Sequence, residues 1–159
     1  MNWMILPFKR YAQFTGRSRR MEFWMFQLLN IILAAVLAGP SYYSMTSSAM
    51  TNASMGIEGE AAMAESMASA NPVTMLMVGL YGLYVLAAFV PSIAVTIRRL
   101  HDRDMSGWWY LGFVLLAIIP IVGLLASLAF LVLMFLPGTS GPNRFGEDPK
   151  DPTQASVFE

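Results

Sequence analysis

Three stretches of this chain carry no charged side chain: Phe23–Ile57, Ser66–Ile97 and Met105–Asn143. The cations sit almost wholly between them, in Lys9–Arg20 and Arg98–Arg103, with Arg144 and Lys150 following. An arginine at the centre of a bilayer costs about 2.5–3.5 kcal/mol on insertion scales, so this segregation is what membrane-crossing helices require. Hydrophobic residues make up 56% and charged residues 13%, against roughly 25% charged in a soluble domain. A soluble fold of 159 residues would have no way to bury three such runs and still present a charged surface. Net charge is zero, which excludes a global attraction to nucleic acid. The absence of cysteine excludes disulfides, thiolate metal sites and a cysteine nucleophile.

The first apolar run, Met21–Gly39, matches the ~20 residues needed to span ~30 Å of hydrocarbon. Pro40 is expected to end it, with Tyr42 and Tyr43 in an interfacial aromatic belt. Basic residues before it and Ala35–Ala38 near its end invite comparison with a signal peptide. Its length, its Trp24, Gln27 and Asn30, and the apolar runs that follow argue for a retained helix. The second run, Val73–Ile97, spans with some tilt, and Pro91 is expected to kink it. The third, Trp108–Leu136, would make a helix of ~43 Å, too long for one span and short for two. It is either one long kinked helix or two short ones joined by a tight turn at Pro120–Gly123; the spacing of Pro and Gly favours the hairpin. The expected fold is thus an all-α integral membrane protein with three to four transmembrane helices.

Orientation follows from the basic residues. The first segment holds Lys9, Arg10, Arg17, Arg19 and Arg20, and the loop after the second run holds Arg98, Arg99 and Arg103. The loop Ser44–Asn71 has no cation but carries Glu58, Glu60 and Glu65. The positive-inside rule therefore puts the N-terminus in the cytoplasm and Ser44–Asn71 outside; a hairpin in the third run returns the C-terminus to the cytoplasm. Domain organisation then reads as an interfacial basic and aromatic segment over 1–20, a membrane domain over 21–147 with a low-complexity external loop at 44–71, and a disordered tail at 148–159. In the first segment Trp3, Phe8, Tyr11 and Phe14 stand beside Lys9 and Arg10, as in a stretch lying among lipid headgroups. Ser18 is the expected N-cap of the first membrane helix, with Glu22 in its first turn. Glu60–Ala70 is rich in helix formers and is expected to form a marginal helix. Met45, Met50, Met55, Met63 and Met67 suggest copper(I), but no MxM spacing, His or Cys accompanies them; unpatterned loop is the better account.

The strings FTGRSRRMEFWMFQLLN (Phe14–Asn30), IRRLHDRDMSGWW (Ile97–Trp109) and PGTSGPNRFGEDP (Pro137–Pro149) resemble the three recurring blocks of the bacterial inner-membrane family catalogued as domain of unknown function 805. The resemblance runs from about Phe8 to Pro149 and implies a multi-helix protein of the bacterial inner membrane. It brings no established activity. The loop around Met45–Met67 is longer than the family pattern, so nothing transfers onto it.

Topology and blocks together gather polar residues at one membrane surface: Arg17, Arg19, Arg20, Glu22, Arg98, Arg99, His101, Asp102, Arg103, Asp104, Asn143 and Arg144, with Trp108, Trp109 and Phe145 as aromatic anchors. One reading is structural, Glu22 or Asp102 pairing with Arg98 or Arg99 to lock helix ends. A second is a binding surface for anionic phospholipid or a membrane-protein partner, a second copy included. A third is catalysis or metal binding through His101, Asp102 and Glu22, but a single His without Cys, nucleophile elbow or HExxH gives it little chemistry. No cofactor, metal or nucleic-acid partner is expected. Arg144 meeting Asp102 or Asp104 is the contact expected of the GPNRFG stretch. A small oligomeric channel or transporter is the alternative from another class, resting on Gln27, Asn30, Ser92 and Thr96 within the spans, residues that serve equally to glue helices. The expectation is a non-enzymatic module, structural or lipid- and partner-binding.

Overall fold

A computed structural model describes residues 3–57, 59–62, 64 and 71–150. Every regular element among them is helical, apart from an isolated bridge between Asn143 and Gly146. The elements are α1 (Leu6–Lys9), α2 (Arg20–Leu33), a π-helical segment (Ala34–Ala38), α3 (Gly39–Met55), α4 (Pro72–His101), α5 (Trp108–Leu116) and α6 (Pro120–Phe135). Two stretches are long and apolar enough to cross a membrane: Arg20–Met55, with 36 residues, and Pro72–His101, with 30. The chain divides into two units, Met1–Gln27 with Ala88–Glu159, and Leu28–Ala87.

In the second unit Pro40 does not end the first helix, contrary to the expectation from the sequence. Ala34–Ala38 widens into a π-helical turn, and Pro40 falls in the first turn of α3, where a missing N–H is tolerated. Ser44–Met55, expected to be loop, is therefore helical, and Tyr42 and Tyr43 lie within α3 as well. Its hydroxyl residues sustain the helix locally. Ser44 donates to the Ser41 carbonyl at 2.9 Å, Thr51 to Ser47 at 3.0 Å and Ser54 to Thr51 at 2.7 Å, so the polar groups that compete with helices elsewhere are satisfied by the helix itself. Gly56, at φ 71°, ends α3 in the left-handed conformation, and Ile57 N–H closes back on the Asn52 carbonyl at 2.9 Å. Residues 60–62 and 64 are helical; the rest of the expected Glu60–Ala70 helix, with Met63 and Met67, lies outside the described residues. Deeper in this unit the Tyr84 hydroxyl donates to Asn30 Oδ1 at 2.5 Å, a bond that glues two apolar helices together.

In the first unit Phe23, Phe26, Ala88, Ala94, Val95, Leu100 and Met134 form the buried core. Phe8 packs edge-on against Phe26 at 5.4 Å and Trp24 stacks on Phe135 at 4.1 Å. The third apolar run is broken, as the Pro/Gly spacing suggests, but the break falls at Ala117–Ile119 and Pro120 opens α6. Ile119 is extended (φ −86°, ψ 120°), the conformation a following proline imposes. The two arms pack together through Phe113 and Phe130, 5.3 Å apart. A side chain at Gly123 would place its Cβ 2.6 Å from the Ala117 carbonyl oxygen. Gly123→Val is accordingly expected to destabilise the hairpin by about 1–3 kcal/mol, read as a lowered unfolding midpoint in detergent, whereas Gly112→Ala, with open space around it, should cost little.

Candidate functional site

Three chain segments bring charge together in the first unit: the approach to α2, the last turn of α4, and the Pro137–Pro149 loop. Arg98 and Arg99 fall side by side at the end of α4, where cations favour the helix dipole. They are 1% and 0% exposed, so each needs a carboxylate.

Arg98 Nη1 lies 2.9 Å from Glu22 Oε1, and Arg10 Nη1 approaches Glu22 Oε2 at 3.9 Å. At that separation Glu22 and Arg98 form a close buried ion pair, with Arg10 more distant. Asp102 is shared. Arg99 Nη1 binds its Oδ2, and Arg17 approaches its Oδ1 through Nε at 3.0 Å and Nη2 at 3.0 Å. Both arginines also hold the loop that follows α6. Arg99 Nη2 donates to the Leu136 carbonyl, and Arg17 donates to the carbonyls of Thr139 at 2.5 Å and Gly141 at 2.6 Å. The Asp102 backbone carbonyl receives Thr139 N–H at 2.8 Å. A Cβ at Gly138 would sit 2.0 Å from Asp102 Oδ2, so only glycine lets the loop pass this close to the carboxylate. The result is a clamp in which both buried carboxylates among the described residues, Glu22 and Asp102, face arginine.

Around the clamp lies a second tier. The His101 ring stacks on Phe145 at 3.9 Å and 3°, and its Nδ1–H donates to the Gly16 carbonyl at 3.2 Å. Asn143 Nδ2 donates to the His101 carbonyl at 2.9 Å, while its Oδ1 accepts Phe145 N–H at 2.9 Å and shapes the turn. Arg144 pairs with Asp104 at 3.1 Å in solvent and lies over the Phe145 ring; exposed pairs of this kind contribute about 0–1 kcal/mol. Asp104 itself has φ 57° and ends α4 as a left-handed cap, with Met105 N–H bonded to the Leu100 carbonyl at 3.0 Å. Arg103 donates to the Pro137 carbonyl at 2.6 Å, Arg20 to that of Phe135 at 3.3 Å, and Arg19 to that of Pro149.

Burial pushes the His101 imidazole below its usual value of 6.5; the bond to Gly16 opposes this and nearby Arg144 adds to it. His101 lies past the apolar run Val73–Ile97. A lowered folded-state pKa means that the folded chain binds fewer protons than the unfolded chain, so stability is lost as pH falls through 6.5. The unfolding midpoint is expected to drop as the pH falls below about 6.5, and His101→Gln should flatten that slope.

Of the residues expected to converge from sequence, Arg17, Arg19, Arg20, Glu22, Arg98, Arg99, His101, Asp102, Asn143 and Arg144 do so, and Phe145 joins them. Trp108 and Trp109 do not: they are 78% and 56% exposed at the start of α5. Ser18 is not a cap; its N–H donates to the Arg98 carbonyl at 3.1 Å, tying the two segments together. The Arg17 fork to loop carbonyls and the close approach of Gly138 were not foreseeable from residue types. Among the described residues no group of three or more His, Cys, Asp or Glu is placed to hold a metal.

Apolar spans ending in a polar clamp define a helical membrane protein, and the relatives place that class in bacteria. The chain belongs to the family described as protein of unknown function DUF805, whose pattern matches residues 11–147. It is 36% identical over 150 residues to the inner membrane protein YhaI of Escherichia coli K12, covering 94% of this chain and 97% of that one. It is 37% identical over 150 residues to inner membrane protein YhaH of the same organism, covering 94% and 98%. No solved structure matches the chain significantly.

Proposed function

We propose that this chain is a non-enzymatic inner-membrane module whose arginine–carboxylate clamp fixes a cytoplasmic platform for contact with anionic lipid or a membrane partner. The continuous helical stretch Arg20–Met55 and α4 supply two spans with the N-terminus inside. The α5–α6 hairpin, whose arms rise only ~13.5 and ~24 Å, enters from the cytoplasmic side and returns to it, so the C-terminus is inside as well. This is a two-span, one-hairpin version of the four-span alternative. The observation that carries the reading is that Glu22 and Asp102 are consumed by Arg98 and by Arg17 with Arg99, leaving no free buried carboxylate among the described residues to act as a base. His101 is committed through Nδ1 and sealed under Phe145.

The test exploits the behaviour of buried ion pairs, which apolar residues of similar volume replace at little cost while single truncations are costly. Glu22→Leu alone and Arg98→Met alone are expected to unfold early in detergent, and the double variant to recover to within about 1–2 kcal/mol of the parent. Additive losses in the double variant would contradict a clamp role. For the channel alternative, Asn30→Leu should lower stability without abolishing ion or solute flux in vesicles, since Asn30 is engaged by Tyr84.

A further inference from the structure

Beside the clamp, a cavity of about 210 Å³ is bounded by Arg10, Arg17 and Arg98, with Gln13, Thr15 and Glu147 also lining it. Two observations make it more than a gap. Arg98 is 1% exposed, yet its Nη2 has no hydrogen-bond partner; an orphaned guanidinium nitrogen inside a fold is costly. The buried charges also fail to balance. Among the described residues Arg17, Arg98 and Arg99 are buried against Glu22 and Asp102, an excess of one positive charge, and Arg10 adds a partly buried cation. A buried positive excess calls for an anion.

We propose that this cavity binds a phosphate group, carried either by an anionic lipid headgroup or by a soluble phosphate compound. Guanidinium forks match phosphate oxygens in geometry as well as charge, and Arg98, which lines the cavity, keeps an Nη2 without a partner. The volume is below the about 300–1,000 Å³ of sites for drug-sized ligands, which suits a phosphate with a short stem. Gln13 and Thr15, both exposed, mark the mouth, and Glu147 sets an acidic edge that favours a ligand of modest charge over a polyphosphate. The proposal builds on the clamp reading, because Glu22 is what holds Arg98 in place.

The experiment uses the full chain in detergent, with inorganic phosphate and glycerol 3-phosphate titrated by calorimetry and phosphatidylglycerol retention read by native mass spectrometry. Binding is expected for at least one probe: retention of the lipid alone identifies a headgroup site, and displacement of lipid by the soluble phosphates identifies a site open to both. The paired variant Gln13→Glu with Thr15→Glu changes only exposed positions and brings negative charge to the mouth. It should keep the parent's unfolding midpoint and lose about tenfold or more in affinity. The Glu22→Leu with Arg98→Met variant should fold and fail to bind. Absence of binding by the parent to every probe, or parental affinity in Gln13→Glu with Thr15→Glu, would overturn the phosphate site and leave the clamp intact. Failure of the Glu22→Leu with Arg98→Met variant to fold would instead count against the clamp, while the mouth variant still reads the cavity.

Discussion

Asp102→Asn is expected to lower the stability of the detergent-purified protein by about 3–5 kcal/mol, the cost of leaving buried guanidiniums without their countercharge. The substitution keeps volume and one acceptor oxygen, so packing is nearly unchanged and the loss is electrostatic. Two arginines are affected at once, because Arg17 is held by Oδ1 and Arg99 by Oδ2. Both then lose part of their grip on the carbonyls of Thr139 and Leu136, and the Pro137–Pro149 loop should detach. Proteolysis within that loop gives a second readout, faster in the variant. Asp104→Asn is the comparison: its pair with Arg144 is about half exposed on each side, and its removal should cost no more than about 1 kcal/mol. Equal losses in the two variants would show that burial is not what makes the clamp matter.

Gly138→Ala should be nearly as damaging, although it adds one methyl group. The new Cβ would fall 2.0 Å from Asp102 Oδ2 and 2.4 Å from its Cγ. A surface carboxylate would swing aside, but this one is fixed by arginines on both oxygens. Either the loop moves off the clamp or the clamp opens, and overpacking of this kind costs about 1–3 kcal/mol before the lost ion pair is counted. Gly141→Ala separates space from conformation. Gly141 has φ 75°, and a methyl group added there would meet nothing within 4 Å, so its substitution carries only left-handed strain of about 1–2 kcal/mol. Gly138 lies outside the left-handed region, and its requirement is close approach alone. Unfolding midpoints of the two variants, measured side by side, check the ranking; Gly138→Ala indistinguishable from the parent would contradict the close contact.

What the residues disclosed and what they concealed have physical causes. Charge-free runs announced α2 and α4 because a bilayer penalises charge at every position along a span. The pairs Glu22–Arg98, Asp102–Arg99 and Arg144–Asp104 were legible because opposite charges on segments grouped at one surface have few other partners. Arg17 was counted in that group, but its role was not legible: most of its acceptors are backbone carbonyls of Thr139 and Gly141, which residue types do not encode. The helix through Pro40 was hidden by two local effects, a π turn that absorbs the missing N–H and hydroxyls that bond back along α3. The placement of the break in the third run was off by a few residues because proline serves a helix better at its first turn than in the turn before it. Trp108 and Trp109 looked like part of the cluster through sequence proximity alone; α5 starts there and turns them outward.

The measurement that most directly tests a single cytoplasmic platform is the location of the C-terminus, read with paired alkaline-phosphatase and green-fluorescent fusions after Phe158 in a bacterial host. Fluorescence without phosphatase activity is the expected result, since α4 and the loop after α6 meet in one clamp through Arg17, Arg99 and Asp102. Phosphatase activity without fluorescence would set the Pro137–Pro149 loop on the far side of the membrane from Arg17 and contradict the account.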